Sequence, residues 1–185
     1  TAVGAEPDSF VGRSVAIQGD TLLAGAPVTD LPGVGPGRVF VYERQPGATD
    51  GWRQVTTLAG SVGHPRDGFG RSVAIDGNTI AVGAPGNDTT LTRAGAVHVF
   101  ERSIPGSTAG WTEVATLRPP NPVPVGGFGY RLALAGDTLV VGTNNAGYVS
   151  VYERGDDGAW RLTRFLQSPS GEFGRSVAID GDLIA

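Results

Sequence analysis

The sequence predicts an all-β chain made of repeated, four-stranded antiparallel sheets. Three observations carry this reading: the chain matches itself at intervals, each interval contains four short apolar stretches, and the composition favours turns over helices. Its 185 residues include 30 Gly and 13 Pro, with 39% hydrophobic residues. That is apolar content enough for a packed core, divided by many chain reversals. No stretch sustains apolar residues at i, i+3, i+4 and i+7, the spacing an amphipathic helix requires.

The self-match is explicit. Residues 10–27 read FVGRSVAIQGDTLLAGAP, 69–85 read FGRSVAIDGNTIAVGAP, 128–144 read FGYRLALAGDTLVVGTN, and 173–185 read FGRSVAIDGDLIA. The glycine after the aromatic falls at Gly12, Gly70, Gly129 and Gly174, separations of 58, 59 and 45. An independent marker, Trp52, Trp111 and Trp160, runs at 59 and 49. Two markers drifting together identify a repeat architecture. The repeats divide at about 8–67, 68–126, 127–171 and an incomplete 172–185.

The second repeat shows the element order. Val, Ile, Thr, Phe and Trp, the residues a half-buried pleated surface prefers, concentrate in Ser72–Ile75, Thr79–Ala84, Ala96–Glu101 and Trp111–Leu117. The first two stretches are joined at Asp76-Gly77, a dipeptide suited to a type I′ hairpin. The corresponding pairs are Gln18-Gly19, Ala135-Gly136 and Asp180-Gly181. These first two stretches are apolar almost throughout, as expected of sheets covered on both faces. Blades of a β-propeller meet that condition, because each sheet packs between two neighbours. Small residues such as Ala81, Gly83 and Ala84 suit the crowded inner strands.

The residues resemble a known family. An FG near the first strand, a GAP ending the second (Gly25-Ala26-Pro27 and Gly83-Ala84-Pro85, drifted to Gly142-Thr143-Asn144 in the third repeat) and a third strand closing on aromatic-Glu-Arg (RVFVYER, AVHVFER, YVSVYER) resemble the FG-GAP repeat. The resemblance implies the seven-bladed propeller of integrin α chains, of which this chain supplies about three complete blades. It is nearest in style to bacterial secreted and surface proteins. It further implies an extracellular or cell-surface location and adhesion or binding rather than a reaction. One departure matters: integrin-type repeats carry a Ca²⁺ loop between the first two strands, and here only a tight turn stands there. Ca²⁺ wants six to eight oxygen ligands, which Asp76, Gly77 and Asn78 cannot supply. No metal or other cofactor is therefore carried over. Asp156-Asp157-Gly158 reads as a hairpin turn between the third and fourth strands. Residues 1–7 read as the tail of an earlier blade and Ala185 falls inside a second strand, so the parent chain is expected to carry further blades.

Other functions find little support. The net charge is −4, and all 14 basic residues are Arg without a basic stripe, so nucleic acid is not an expected partner. There is no Cys, which removes disulfides and thiolate metal sites. No apolar run approaches the length of a membrane helix. The two histidines, His64 and His98, lie outside any hydrolase or metalloprotease motif, and no catalytic residue is proposed. Arg13, Arg71 and Arg175 follow the motif glycine, with Tyr130 then Arg131 in the third repeat. They read either as an anion-binding ring or as a repeated structural bond, and recurrence favours structure. The same logic assigns Phe69, Phe128, Phe173 and the tryptophans to packing between blades. It assigns the Glu-Arg pairs at 43–44, 101–102 and 153–154 to edge or turn salt bridges.

Function is expected where repeats differ. The loops after the second strand are unlike one another, and they share a face with the connections Ser61–Gly68 and Pro119–Gly127. Variable loops on a rigid scaffold are common binding sites. The expected partner-binding face is Asp30, Asn87, Asp88, Asn144 and Asn145. The expected role is a non-catalytic module binding a protein or glycan. The alternatives are a structural scaffold supporting other domains, or part of an enzyme whose active site lies on other blades.

Overall fold

The computed structural model describes residues 10–27, 35–45, 51–61, 63–88, 91–103, 110–169 and 172–185. Strands β1 (Ser14–Gln18), β2 (Thr21–Ala26), β3 (Arg38–Arg44) and β4 (Trp52–Leu58) form one antiparallel sheet in sequential order. β5 (Ser72–Asp76), β6 (Thr79–Ala84), β7 (Ala96–Arg102) and β8 (Trp111–Leu117) form the second, and β9 (Arg131–Ala135), β10 (Thr138–Gly142), β11 (Tyr148–Arg154) and β12 (Trp160–Gln167) the third. A hairpin of β13 (Ile179–Asp180) and β14 (Leu183–Ile184) opens a fourth. The first strands of consecutive sheets lie side by side, β1 by β5 and β5 by β9. The sheets therefore radiate from a common inner edge, as propeller blades do.

The hairpins correct one expectation. Asp76 pairs with Thr79, which makes Gly77 and Asn78 the two turn residues, one position later than the sequence pattern placed them. Gly77 has φ 55°, whereas Asn78 does not have positive φ. Positive φ at the first turn position alone is the type II′ pattern, not I′. Gly19, Gly136 and Gly181 repeat the geometry at φ 54°. The second turn residue has its own use: the carbonyls of Asp20, Asn78 and Asp137 accept the amides of Arg44, Arg102 and Arg154.

Packing lies between blades. Alternation along β6 sends Ile80, Val82 and Ala84 toward the first blade, where they meet Leu23, Val39, Val41, Leu58 and Phe69. It sends Ala81 the other way, with Val97 and Val99, onto Phe128, Leu139 and Val141. Every residue of β6 is buried. Phe69 and Phe128 seal the two junctions, and Trp111 and Trp160 pack against the same clusters. Phe173 is more open. On β1 the same alternation turns Ala16 inward and leaves Val15 and Ile17 exposed on the opposite face.

The motif glycines are the contact points between blades. The Gly70 carbonyl lies against Gly25, where a Cβ would stand 2.2 Å from it, and it accepts the Ser14 hydroxyl at 2.8 Å. The Gly129 carbonyl repeats this on Gly83, where a Cβ would stand 2.0 Å away, and accepts the Ser72 hydroxyl at 2.7 Å. Gly174 meets Gly142 in the same way, at 2.1 Å. The FG of one blade is thus seated on the glycine of the preceding GAP, which leaves no room for a side chain.

The Glu-Arg pairs also join blades rather than turns. Arg102 donates to Glu43 of the preceding blade at 3.0 Å, and to Thr21 at 3.0 Å. Arg154 donates to Glu101 at 2.9 Å. Arg102 also stacks on Trp111 at 4.6 Å. Arg44 pairs with exposed Asp20 instead, and contributes little there.

His98 is sealed into the first junction. It meets Phe69 edge-on at 5.2 Å and bonds Glu113 at 2.8 Å. Burial pushes the Glu113 carboxyl up. Hydrogen bonds from His98, Thr116 and the Ser61 amide, with the charge of His98, outweigh it and bring the pKa down to about 2. A depressed carboxylate stabilises the fold above its unfolded pKa near 4.5 and loses that contribution as pH falls toward 2. Thermal melts between pH 5 and pH 2 are therefore expected to show a loss that Glu113→Gln flattens. Parallel curves for the two proteins would contradict this.

Candidate functional site

Residues of the loops after β6 and β10 and of the inter-blade connections come together on one face. A concavity on that face lies between the second and third blades. It has a volume of about 220 Å³ and is lined by Arg66, Pro85, Arg93, Val125, Tyr130 and Asn144, with Gly86 and Gly127.

Its walls are fixed by backbone bonds. Gly86 N–H donates to the Asp67 carbonyl at 2.8 Å, and Asn144 N–H to the Gly126 carbonyl at 3.1 Å. Across the cleft, Val125, Gly127 and Phe128 donate to the carbonyls of Thr92, Arg93 and Ala94 at 2.8, 3.1 and 2.9 Å. That short ladder ties the loop of one blade to the entry of the next. Arg66, Arg93 and Val125 have φ of 75°, 52° and 58°, a left-handed conformation that non-glycine residues seldom adopt. Arg66 and Val125 hold equivalent turns in successive repeats, closed by Asp67 N–H to the His64 carbonyl and Gly126 N–H to the Val123 carbonyl. The left-handed Arg93 belongs to this blade's own loop.

The predicted face residues separate in structure. Asn87 is fully buried: its amide nitrogen donates to Asp67 at 2.8 Å, and its amide oxygen accepts from Arg118 at 2.6 Å. It braces the loop from within and offers no side-chain surface. Asp88 is exposed and its carboxylate accepts the Arg93 amide. Asn144 lines the cleft, and Asn145 stands exposed beside it, with its side chain donating to the Val125 carbonyl at 3.3 Å. Asp30 lies outside the described residues.

Sequence reasoning missed Arg66, Arg93 and Tyr130 as cleft residues. The available signal was departure from the repeat: Tyr130 stands where the other repeats have Arg, and Arg66 stands where the next repeat has Val125. Arg71 donates to the Tyr130 hydroxyl at 2.7 Å and lies over its ring at 4.3 Å, while Arg131 lies at 4.6 Å from the same ring. Burial lowers the Arg71 pKa, and the charges of Arg13 and Arg131 lower it further, against Tyr130. Arg175 bonds Glu172 at 3.0 Å and the Asn144 carbonyl at 3.1 Å. The motif arginines at 71 and 175 thus make structural bonds, each in its own way.

Asp157 sits in the β11–β12 turn, paired with Arg161 at 2.8 Å, which holds its carboxyl well below the usual range. Among the described residues, no group of three or more His, Cys, Asp or Glu could hold a metal ion, and no helix is long and apolar enough to cross a membrane.

Sheets of four antiparallel strands, stacked face to face around a shared inner edge and latched through glycine, define a module of the β-propeller class. Residues 1–42 and 52–100 match the FG-GAP repeat model, and the chain belongs to the FG-GAP repeat family. No curated protein sequence matches it significantly. Among solved structures, it is similar to a Bacteroides fragilis protein assigned as a 6-phosphogluconolactonase, with TM-score 0.63 and 14% identity over 88% of this chain and 40% of that one. It is also similar to a Lactobacillus plantarum protein, with TM-score 0.60 and 18% identity over 90% of this chain and 44% of that one. The β-propeller domain of Cps50 (Swd1) from Myceliophteria thermophila gives TM-score 0.53 and 16% identity, over 85% and 43%. The chain spans less than half the length of each. At these identities the likeness is one of fold.

Proposed function

We propose that the chain is part of a non-catalytic, extracellular or cell-surface interaction module that binds a protein or glycan through the loop face of its propeller. The observation that carries the reading is the cleft between the second and third blades. It is walled by loops that differ from repeat to repeat and held rigid by inter-blade backbone bonds. A preformed concavity loses little conformational freedom on binding. Asn144 lines it, Asp88 and Asn145 bond the backbone of its lining residues Arg93 and Val125, and Asn87 supports the loop from within. Family membership supports the location, because FG-GAP repeats are typical of extracellular proteins.

The test is partner capture on glycan arrays and from extracellular protein pools, comparing the protein with an Asp88→Ala/Asn145→Ala variant. Both side chains are exposed, so the fold should be retained. The expected result is at least a tenfold loss of the captured partner with an unchanged melting temperature. Undiminished capture would reject the face, and a scaffold role would predict that result.

A further inference from the structure

The cleft carries a charge pattern that the chain as a whole does not. Net charge is −4, yet Arg66 and Arg93 both line this one cavity. Both are exposed, and among the described residues neither guanidinium has a hydrogen-bond or ion-pair partner. Behind them, Arg71 and Arg131 flank Tyr130 on the cavity wall, and Arg13 adds its charge to theirs. The nearby carboxylates are engaged elsewhere: Asp67 is buried and accepts the His64 amide and the Asn87 side chain, and Asp88 accepts the Arg93 amide.

We propose that the cleft between the second and third blades binds a phosphate or sulfate ester, held by the guanidinium groups of Arg66 and Arg93. The assignment rests on the loop-face reading and names its ligand class.

The chemistry follows from the side chains. A guanidinium presents a planar fork of donors that matches two oxyanion oxygens at once. A carboxylate has two oxygens and is satisfied by one fork, whereas a tetrahedral ester has three terminal oxygens and can serve two. The cavity volume of about 220 Å³ suits a single charged head group rather than a length of polymer. Pro85 and Val125 offer apolar wall to the body that carries the ester, and the Asn144 amide offers a neutral hydrogen-bonding group. The left-handed backbone at both Arg66 and Arg93 is unfavourable by itself, and such conformations gather at ligand sites.

The probes are glucose 6-sulfate and glucose 6-phosphate, with glucose as the neutral control, measured by calorimetric titration on the intact protein at low salt. At least one ester is expected to bind, glucose is not, and the binding ester identifies the source as sulfated or phosphorylated. Arg66→Gln/Arg93→Gln is expected to weaken that binding at least tenfold. Arg53→Gln/Arg164→Gln removes two exposed charges from the outer strands β4 and β12 and is expected to change it less than twofold. If the Gln pair loses folded protein, Arg66→Lys/Arg93→Lys keeps the charge, removes the forks, and should still weaken binding severalfold. Failure of both esters to bind, or equal loss in the two Gln pairs, would overturn the proposal. The two readings fail separately. Absent ester binding with partner capture still lost in Asp88→Ala/Asn145→Ala removes only the ester site. Ester binding through Arg66 and Arg93 with capture unaffected removes only the partner face.

Discussion

Gly83→Ala is expected to destabilise the protein by about 3 kcal/mol, the upper range for forcing atoms into a packed interior. The added methyl would stand 2.0 Å from the Gly129 carbonyl oxygen and 2.3 Å from the Ser72 hydroxyl. The obstacle is backbone of the next blade, so relief requires the second and third blades to separate. Separation would also break the Ser72–Gly129 hydrogen bond and loosen the contacts of buried Phe128. Gly35→Ala is the matched control, since nothing stands within 4 Å of its Cβ position and its φ is not positive. Denaturant unfolding of both variants checks the prediction. Equal midpoints would mean that the FG-GAP contact is not the junction described here.

Glu43→Ala is the second large effect, at about 3–5 kcal/mol, the cost of stranding one partner of a buried ion pair. The Glu43 and Arg102 side chains are only 7% and 8% exposed. Removing the carboxylate takes away the charge that the Arg102 guanidinium meets between the blades, while its bond to the Thr21 hydroxyl stays. Replacing both partners, Glu43→Leu with Arg102→Met, should recover most of the loss, because no charge is left buried. Glu101→Ala breaks the homologous bond to Arg154 in a wetter setting, where the side chains are 22% and 31% exposed, and should cost less. Unfolding of the three variants gives the ranking. A Glu101 cost equal to that of Glu43 would mean that burial is not what sets the strength of the pair.

Much of the architecture was legible because repetition filters the signal. Phe69 and Phe128 recur at the same place in successive repeats and are buried at successive junctions, and Trp111 and Trp160 pack against the same two clusters, so recurrence alone marked them as core. Strand positions followed from the apolar stretches, and Ser72, Thr79, Ala96 and Trp111 begin strands as expected. The hairpin type was misread because both I′ and II′ turns use glycine, and only the register of Asp76 with Thr79 places Gly77 first. A bulge recurs between the third and fourth strands, at Val41/Tyr42, Val99/Phe100 and Val151/Tyr152. No residue type announces it.

The cleft was legible only as a face. Reasoning from variable loops selected Asn87, Asp88, Asn144 and Asn145 as equals. Folding separates them, because Asn87 satisfies buried Asp67 and Arg118 while Asp88 and Asn145 reach solvent. Arg66 and Arg93 are 27 positions apart in sequence and come to one cavity through different loops.

By itself, the sequence determined the all-β repeat, the blade as its unit and the family, because those rest on local periodicity and on motifs that recur. Only the tertiary structure decided which partner each motif meets. FG meets the preceding GAP, Arg102 meets Glu43, and Arg66 and Arg93 come to line one cavity. The physical reason is that these contacts form between sheets. They depend on how one blade is rotated and seated against the next, a geometry set by close packing over many residues at once rather than by any one segment.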